Sequence, residues 1–309
     1  MNTTWSPGCS EEGKNCTCAW CGWKISVSPT HIGGSSAIAA RQVFELEVRF
    51  VVDRSVTDRY IAEQTFGDSA MRKSNAMVSL KADIDYFITE INELFASLRP
   101  KGLNIIILKQ TLDILNINLF LDNVPSSVAL KAFRDWSAKQ LPAAYDAAIL
   151  WTGHRFQQSG RAYIGRVCNP VYATGIVFYD MTYQVTIITA HELGHIMGAR
   201  HDPANSGYVM GPVNRCTDTN RWQFSLASKN AFDVVIAKPR SRCLKRTSAS
   251  STAISAGVTA ALANPETICR RARRSKRSYM CKVNTDDFIR MLLERKYRLL
   301  LVQCFKTIH

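Results

Sequence analysis

The chain predicts an α/β fold of the α+β mixed-sheet kind, and three observations lead there. Short runs dominated by β-branched, aromatic and aliphatic residues recur through the middle of the sequence. Between them lie segments whose apolar residues repeat every three or four positions, as amphipathic helices require. The third is compositional: 46% hydrophobic residues in 309 is ordinary for a globular chain and suffices for one core of about 200 residues plus appendages.

In chain order, VFELEVRFVVD (43–53) reads as the first strand. Leu80, Ile84, Phe87, Ile88, Ile91, Leu94, Phe95 and Leu98 then form the apolar stripe of a helix over 77–98, stopped by Pro100. LNIIILKQ (103–110) is a second buried strand, and a helix with Leu130, Phe133 and Trp136 leads to a third, DAAILWT (146–152). GRAYIGRVC (160–168) and ATGIVFYD (173–180) complete the predicted sheet. After a further helix, SGYVMGPVNRC (206–216) reads as a loop, followed by a short helix around 225–237, with Cys243 closing the domain. The folded domain therefore spans 42–245.

The flanks differ in composition. Residues 1–41 hold Cys9, Cys16, Cys18 and Cys21 and end in GGSSAIAA, a flexible linker or a processed boundary. Residues 246–309 carry thirteen Lys/Arg against four Asp/Glu, so +9 of the formal +14 sits in this Cys-containing tail. Its first third is poor in large apolar groups, and DDFIRMLLERKYRLLLVQCF reads as a helix. Ten cysteines and the sequons at Asn2 and Asn15 point to an oxidising, extracellular compartment, although the opening residues lack the order of a secretory signal. The expectation is a secreted protein whose true N-terminus lies outside this sequence. No run of eighteen apolar residues is present, which excludes an apolar helical membrane span of that length.

The most informative stretch is HELGHIMGARHD, 191–202, which holds three of the six histidines. At this composition the extended pattern arises by chance in fewer than about one chain in a million. Four residues apart on a helix, His191 and His195 share a face, and Glu192 sits about 100° round the axis. Gly198 can adopt a left-handed cap that turns the chain so that His201 returns to the same point. Three imidazoles with an open fourth position is the donor set of catalytic zinc. A helix with ordinary core histidines would leave both Gly198 and His201 unexplained.

With Met210 nine residues beyond His201 and the strands that precede the motif, the domain resembles a reprolysin, of the adamalysin branch of the metzincin zinc endopeptidases found in snake venom and tick saliva. The resemblance covers roughly 42–245. It implies two lobes around a cleft, one zinc ion on His191, His195 and His201, Glu192 as catalytic base, and Met210 as an apolar floor. It also implies a structural role for Asp202, a disulfide between Cys168 and Cys243, and a substrate-aligning edge at 160–168 that presents Gly160, Ala162 and Ile164. Pro212 and Val213 would wall the pocket after the scissile bond. The family's calcium site finds Glu47 and Asp146 but a cation, Arg246, at its third position, which argues against Ca2+. A second family disulfide is missing, with Ala227 at one of its positions, and Cys216 has no obvious partner. The family's propeptide is not recognisable in 1–41; CAWCGW would imitate its zinc-blocking cysteine, a disulfide cluster or a mis-assembled N-terminus being the other readings.

The expectation is thus a secreted endopeptidase acting on protein segments, host plasma or matrix proteins by resemblance. The alternative is a catalytically silent binding protein on the same scaffold, which would have no need of Glu192. The run RRARRSKR (270–277) lacks interleaved aromatics, which disfavours nucleic acid and favours a polyanionic glycan; RSKR before Ser278 also has the form of a convertase site. His31 and His309 are given no role, and His154 is retained only as a contact near the cleft.

Overall fold

The computed structural model describes residues 42–140, 145–182, 184–212, 220–244, 278–280 and 305–307. Two units are distinguished along the chain, Arg41–Val258, and Met1–Ala40 with Thr259–His309. In the first, strands β1 (Val43–Val52), β2 (Asn104–Ile114), β3 (Ala147–Thr152), β4 (Gly160–Ala162) and β5 (Thr174–Phe178) form one sheet in the order β2-β1-β3-β5-β4. Four strands are parallel and β4 alone runs antiparallel, at the edge. The mixed sheet expected from the alternating elements is present.

All six residues of β3, AAILWT, are buried. That follows from its central position, where both faces must be apolar. Helix α3 (Ser126–Ala138) covers one face, packing Leu130 and Phe133 against Val51, Ala148, Leu150 and Ile176. The other face meets α2 (Ser69–Ala96) and α4 (Gln184–Ile196); here Trp151 stacks against Phe50 at 4.8 Å and donates its indole N–H to Thr189 Oγ1 on α4 at 2.9 Å. This pairing satisfies the one polar atom of the largest buried side chain.

Three boundaries depart from the sequence reading. Helix α1 (Arg54–Glu63) was not anticipated, because RSVTDRYIAE buries only Val56 and Tyr60 and carries no long apolar stripe. Helix α2 starts at Ser69 rather than 77, since Asp68 caps it by accepting a hydrogen bond from Met71 N at 2.8 Å while its first turns stay exposed. Most consequential, the strand expected over 160–168 ends at Ala162. Gly165 and Cys168 take φ values of 64° and 62°, which no strand accommodates, and the backbone N–H groups of Gly165 and Val167 donate instead to the carbonyls of His195 and Ile196 at the end of α4.

After α4 the chain builds a smaller part around α5 (Leu226–Ile236), whose Phe232 packs with Phe224 and, from α2, Phe95. A disulfide joins Cys168 to Cys243, 75 residues apart. In the chain-entropy picture closing such a loop is worth about 4–5 kcal/mol. Among the described residues of the second unit, β6 (Ser278–Met280) and β7 (Phe305–Thr307) pair as a short antiparallel ribbon. The helix expected over 286–305 lies outside the described residues apart from Phe305, which opens β7. No described helix is long and apolar enough to cross a membrane.

Candidate active site

Helix α4 is buried along nearly its whole length, because it runs between the sheet and the part of the chain that follows. The i, i+4 spacing places His191 and His195 on one face, with ring centroids 4.6 Å apart. Gly198, at φ 103°, ends the helix: its N–H donates to His195 O and that of Ala199 to Gly194 O, the paired bonds of a Schellman cap. A β-carbon at 198 would also run into Val235 of α5. Glycine is therefore required twice, for the backbone angle and for the close approach.

The chain reversed in this way brings His201 back. Its Nε2 lies 3.1 Å from His191 Nε2 and 3.2 Å from His195 Nε2. The outer ring nitrogens of the two helical histidines face carbonyls, His191 Nδ1 that of Val209 at 2.7 Å and His195 Nδ1 that of Ala199 at 2.8 Å. A carbonyl only accepts, so each Nδ1 carries the proton and each Nε2 keeps its lone pair turned inward. Burial, reinforced by the neighbouring His195, pushes His191 down to about 3, and burial lowers His195 as well. The two helical histidines are thus held neutral with their Nε2 lone pairs turned inward, and the Nε2 atoms of all three rings meet at one point.

Glu192 is buried beside it, and its Oε2 has no hydrogen-bond partner among the described residues. Burial lifts its carboxyl well above the usual carboxylate range, opposed by the charge of Arg161. The carboxyl fits only because residue 160 is glycine: a β-carbon there would overlap Glu192 Oε1. Gly160 accordingly serves the site through the space it leaves as well as through its backbone.

Met210 is fully buried beneath α4; a β-carbon on Gly194 would fall 2.5 Å from its Sδ. Asp202 is buried, its N–H donating to Met210 O at 2.9 Å and its Oδ1 accepting from Ser225 Oγ at 2.7 Å. The same Ser225 oxygen caps α5 by accepting from Ser228 N at 3.0 Å. Asp202 thereby ties the turn at Met210 to the start of α5, and it contributes no atom to the histidine cluster.

The three histidines, Glu192 and Gly160 line a cleft of about 840 Å3 that also contains Ala162, Ile164 and Pro212, whereas Met210 and Asp202 lie outside its lining. The free edge of β4 forms one wall. Val213, Cys216 and Arg246 lie outside the described residues, whereas His154 packs against Phe120 and beside Asp122, away from the cleft lining. At the position of the family's calcium site, Asp146 Oδ2 accepts from Glu47 N at 2.9 Å, with both acids buried. Sequence reasoning missed the carbonyls of Val209 and Ala199, which act through the backbone and leave no side-chain signal. It also missed Arg161 and Arg200, whose proximity to the cleft comes from the edge position of β4 and from the Gly198 cap.

Comparison with known proteins adds an independent line. The chain is similar to the zinc metalloproteinase-disintegrin-like atragin of Naja atra, 33% identical over 135 residues, covering 40% of this chain and 22% of that protein; it thus spans about a fifth of that relative's length. Among solved structures it is similar to metalloproteinase-II of Bacteroides fragilis, at 14% identity and a TM-score of 0.43 over 65% of this chain and 55% of the other, a likeness that carries no part of the assignment. The profile of the Reprolysin (M12B) family zinc metalloproteases matches residues 70–247, which include every residue of the histidine cluster. That match spans more than half of the chain, and the protein belongs to the reprolysin (M12B) family of zinc metalloproteases.

Proposed function

We propose that the chain is a zinc-dependent endopeptidase that hydrolyses peptide bonds in extended segments of extracellular proteins, with His191, His195 and His201 as metal ligands and Glu192 as general base. The observation that carries this reading is the convergence of three imidazole Nε2 atoms next to a buried, unpartnered carboxylate oxygen at the wall of a cleft. The donor set fits zinc: tetrahedral Zn–N bonds of about 2.0–2.1 Å set nitrogen atoms about 3.3 Å apart, against the 3.1 and 3.2 Å found.

When bound, zinc supplies a Lewis acid for the peptide carbonyl and lowers the pKa of water at the site towards about 7. The chain's own residues supply the rest. The backbone edge of Gly160–Ala162 pairs with an extended peptide by adding it as a further strand. Glu192 Oε2 accepts the proton of the attacking water and passes it to the nitrogen of the leaving amine. Arg161 already lowers the proton affinity that burial confers on Glu192, and a dication beside the carboxylate acts in the same direction. Secretion is supported by the Cys168–Cys243 disulfide, which an oxidising compartment preserves. The basic tail adds a proposed polyanionic glycan partner, which salt-dependent heparin retention of the chain with and without 246–309 tests.

A silent binding protein on the same scaffold is disfavoured, because it would bury Glu192 without a partner at a cost and to no purpose. In Glu192→Gln the volume is kept and only the proton acceptor is removed. Casein cleavage is expected to fall by about 100- to 10,000-fold while zinc content stays at one per chain. Undiminished cleavage would overturn the mechanism.

A further inference from the structure

The cleft does not end at Ala162. Beyond it, sharing Ile164 and Arg200 with the cleft, lies a second hollow of about 450 Å3, bounded by the turn at 164–166, Gly198 and α5. Four of the lining side chains are cationic, Arg166, Arg200, Lys238 and Arg240, and none is acidic. Among the described residues no carboxylate pairs with any of the four, although Lys109, Lys131 and Lys229 elsewhere on the surface each reach an aspartate. Two are held in place by groups that leave their charge uncompensated: Arg240 donates to Gly165 O at 2.6 Å, and the Arg166 guanidinium lies 5.8 Å from the Tyr172 ring centroid.

Four unpaired like charges around one concavity repel one another and focus a positive field into it. The arrangement raises the free energy of the empty protein and lowers that of a complex with an anion. Arginine guanidinium groups match a carboxylate in planar, two-point geometry. Ile164 and Arg200 line both the cleft and the hollow, so an anion placed here lies on the track of whatever the cleft holds.

We propose that this hollow is a specificity subsite for acidic side chains of the peptide substrate. The inference rests on the endopeptidase reading above and adds to it a preference that the zinc centre does not create. Its location follows from the strand. Glu192 lies against Gly160, and Ile164–Arg166 lie four to six residues further along the chain. β4 carries an extended peptide at about 3.3 Å per residue only as far as Ala162, and the turn at 164–166 lies just beyond that end, which places the acidic residue roughly three to five positions from the scissile bond. An antiparallel peptide, the more stable pairing on a free edge, reaches the Ile164 end with the residues that precede the cut.

The test compares fluorogenic peptides that carry Glu-Glu, Gln-Gln or Lys-Lys three to five positions before the cleavage site, in otherwise identical sequences. The zinc-loaded wild type is expected to cut the glutamate peptide with kcat/KM about tenfold above the glutamine peptide at low salt, the advantage shrinking as salt screens the charges. In Arg166→Glu/Lys238→Glu, which brings the formal charge of the hollow from +4 to zero, the advantage of the glutamate peptide over the lysine peptide should disappear while cleavage of the glutamine peptide and zinc content stay unchanged. The second readout needs no turnover: in zinc-loaded Glu192→Gln protein, fluorescence anisotropy should show the labelled glutamate peptide binding more tightly than the lysine peptide, and adding the double substitution should abolish the difference. An unchanged preference in the variant, no preference in the wild type, or a preference only for acids after the cut would overturn the subsite. So would heparin oligosaccharide binding that is lost in the variant without any effect of peptide charge. If no peptide is cut by zinc-loaded protein, the endopeptidase reading fails, and the anisotropy comparison still decides the subsite.

Discussion

The parts of the domain on either side of Gly198 are held together in different ways. Before it, β1, β3 and β5 are buried between α3 on one face and α2 with α4 on the other, and Trp151, Phe50 and Phe133 fill the space between layers. After it, order comes from individual links: the cap at Gly198, the Asp202–Ser225 hydrogen bond, the Met210 turn, the Phe95–Phe224–Phe232 cluster and one disulfide. The histidine cluster draws two members from the first part and one, the exposed His201, from the second. A metal held there stabilises the second part far more than the first, because the sheet already has its core.

Removing the metal should break this contrast most. At a free zinc concentration about 1,000 times Kd, binding adds about 4 kcal/mol to the folded state. Chelation is expected to raise hydrogen exchange strongly across 199–211 and little in β1 and β3, as mass spectrometry of peptic fragments would register; equal loss in both would show that the parts are not distinct. Gly198→Ala comes next. A left-handed angle at a residue with a β-carbon costs about 1–2 kcal/mol, and crowding against Val235 another 1–3. A lowered Tm together with substoichiometric zinc is expected, whereas a normal metal content would mean that His201 does not depend on the cap.

Ser225→Ala removes both the bond to Asp202 and the cap of α5, for about 1–3 kcal/mol. The urea midpoint should fall with Glu192 and the three clustered histidines untouched, so turnover of the remaining folded protein should change little. The smallest effect belongs to the first part. Asp53 is buried at the end of β1, accepting from Ser55 and Thr152, and burial raises its pKa. A raised folded-state pKa gives a contribution that is present below the unfolded value of about 3.9 and is lost as pH rises through the folded value. Denaturant titrations at several pH values should therefore show Asp53→Asn gaining on the wild type as pH increases from 4 towards neutrality.

Much of the site was legible because it is local. His191, Glu192 and His195 owe their arrangement to helical periodicity, and Gly198 to the one backbone angle that only glycine adopts cheaply. The buried strands were equally readable, since β3 at the sheet centre has to be apolar on both faces. By contrast, GRAYIGRVC looks like one strand on composition but is split by Gly165 and Cys168 at positive φ. Nothing in its letters shows that Gly165 and Val167 find better hydrogen-bond acceptors at the end of α4 than in the sheet.

What the sequence determined alone is the identity and spacing of the three histidines and the glutamate proposed as metal ligands and general base, because one helix and one cap fix them within eleven residues. What only the tertiary structure decided is everything that depends on segments distant in the chain. Gly160 must lack a side chain because Glu192 occupies that space, and the carbonyls of Val209 and Ala199 set the tautomers of the two helical histidines. Four cations from positions 166, 200, 238 and 240 meet around one hollow. Contacts of this kind follow from how the layers pack, and a local pattern of residue types contains no term for it.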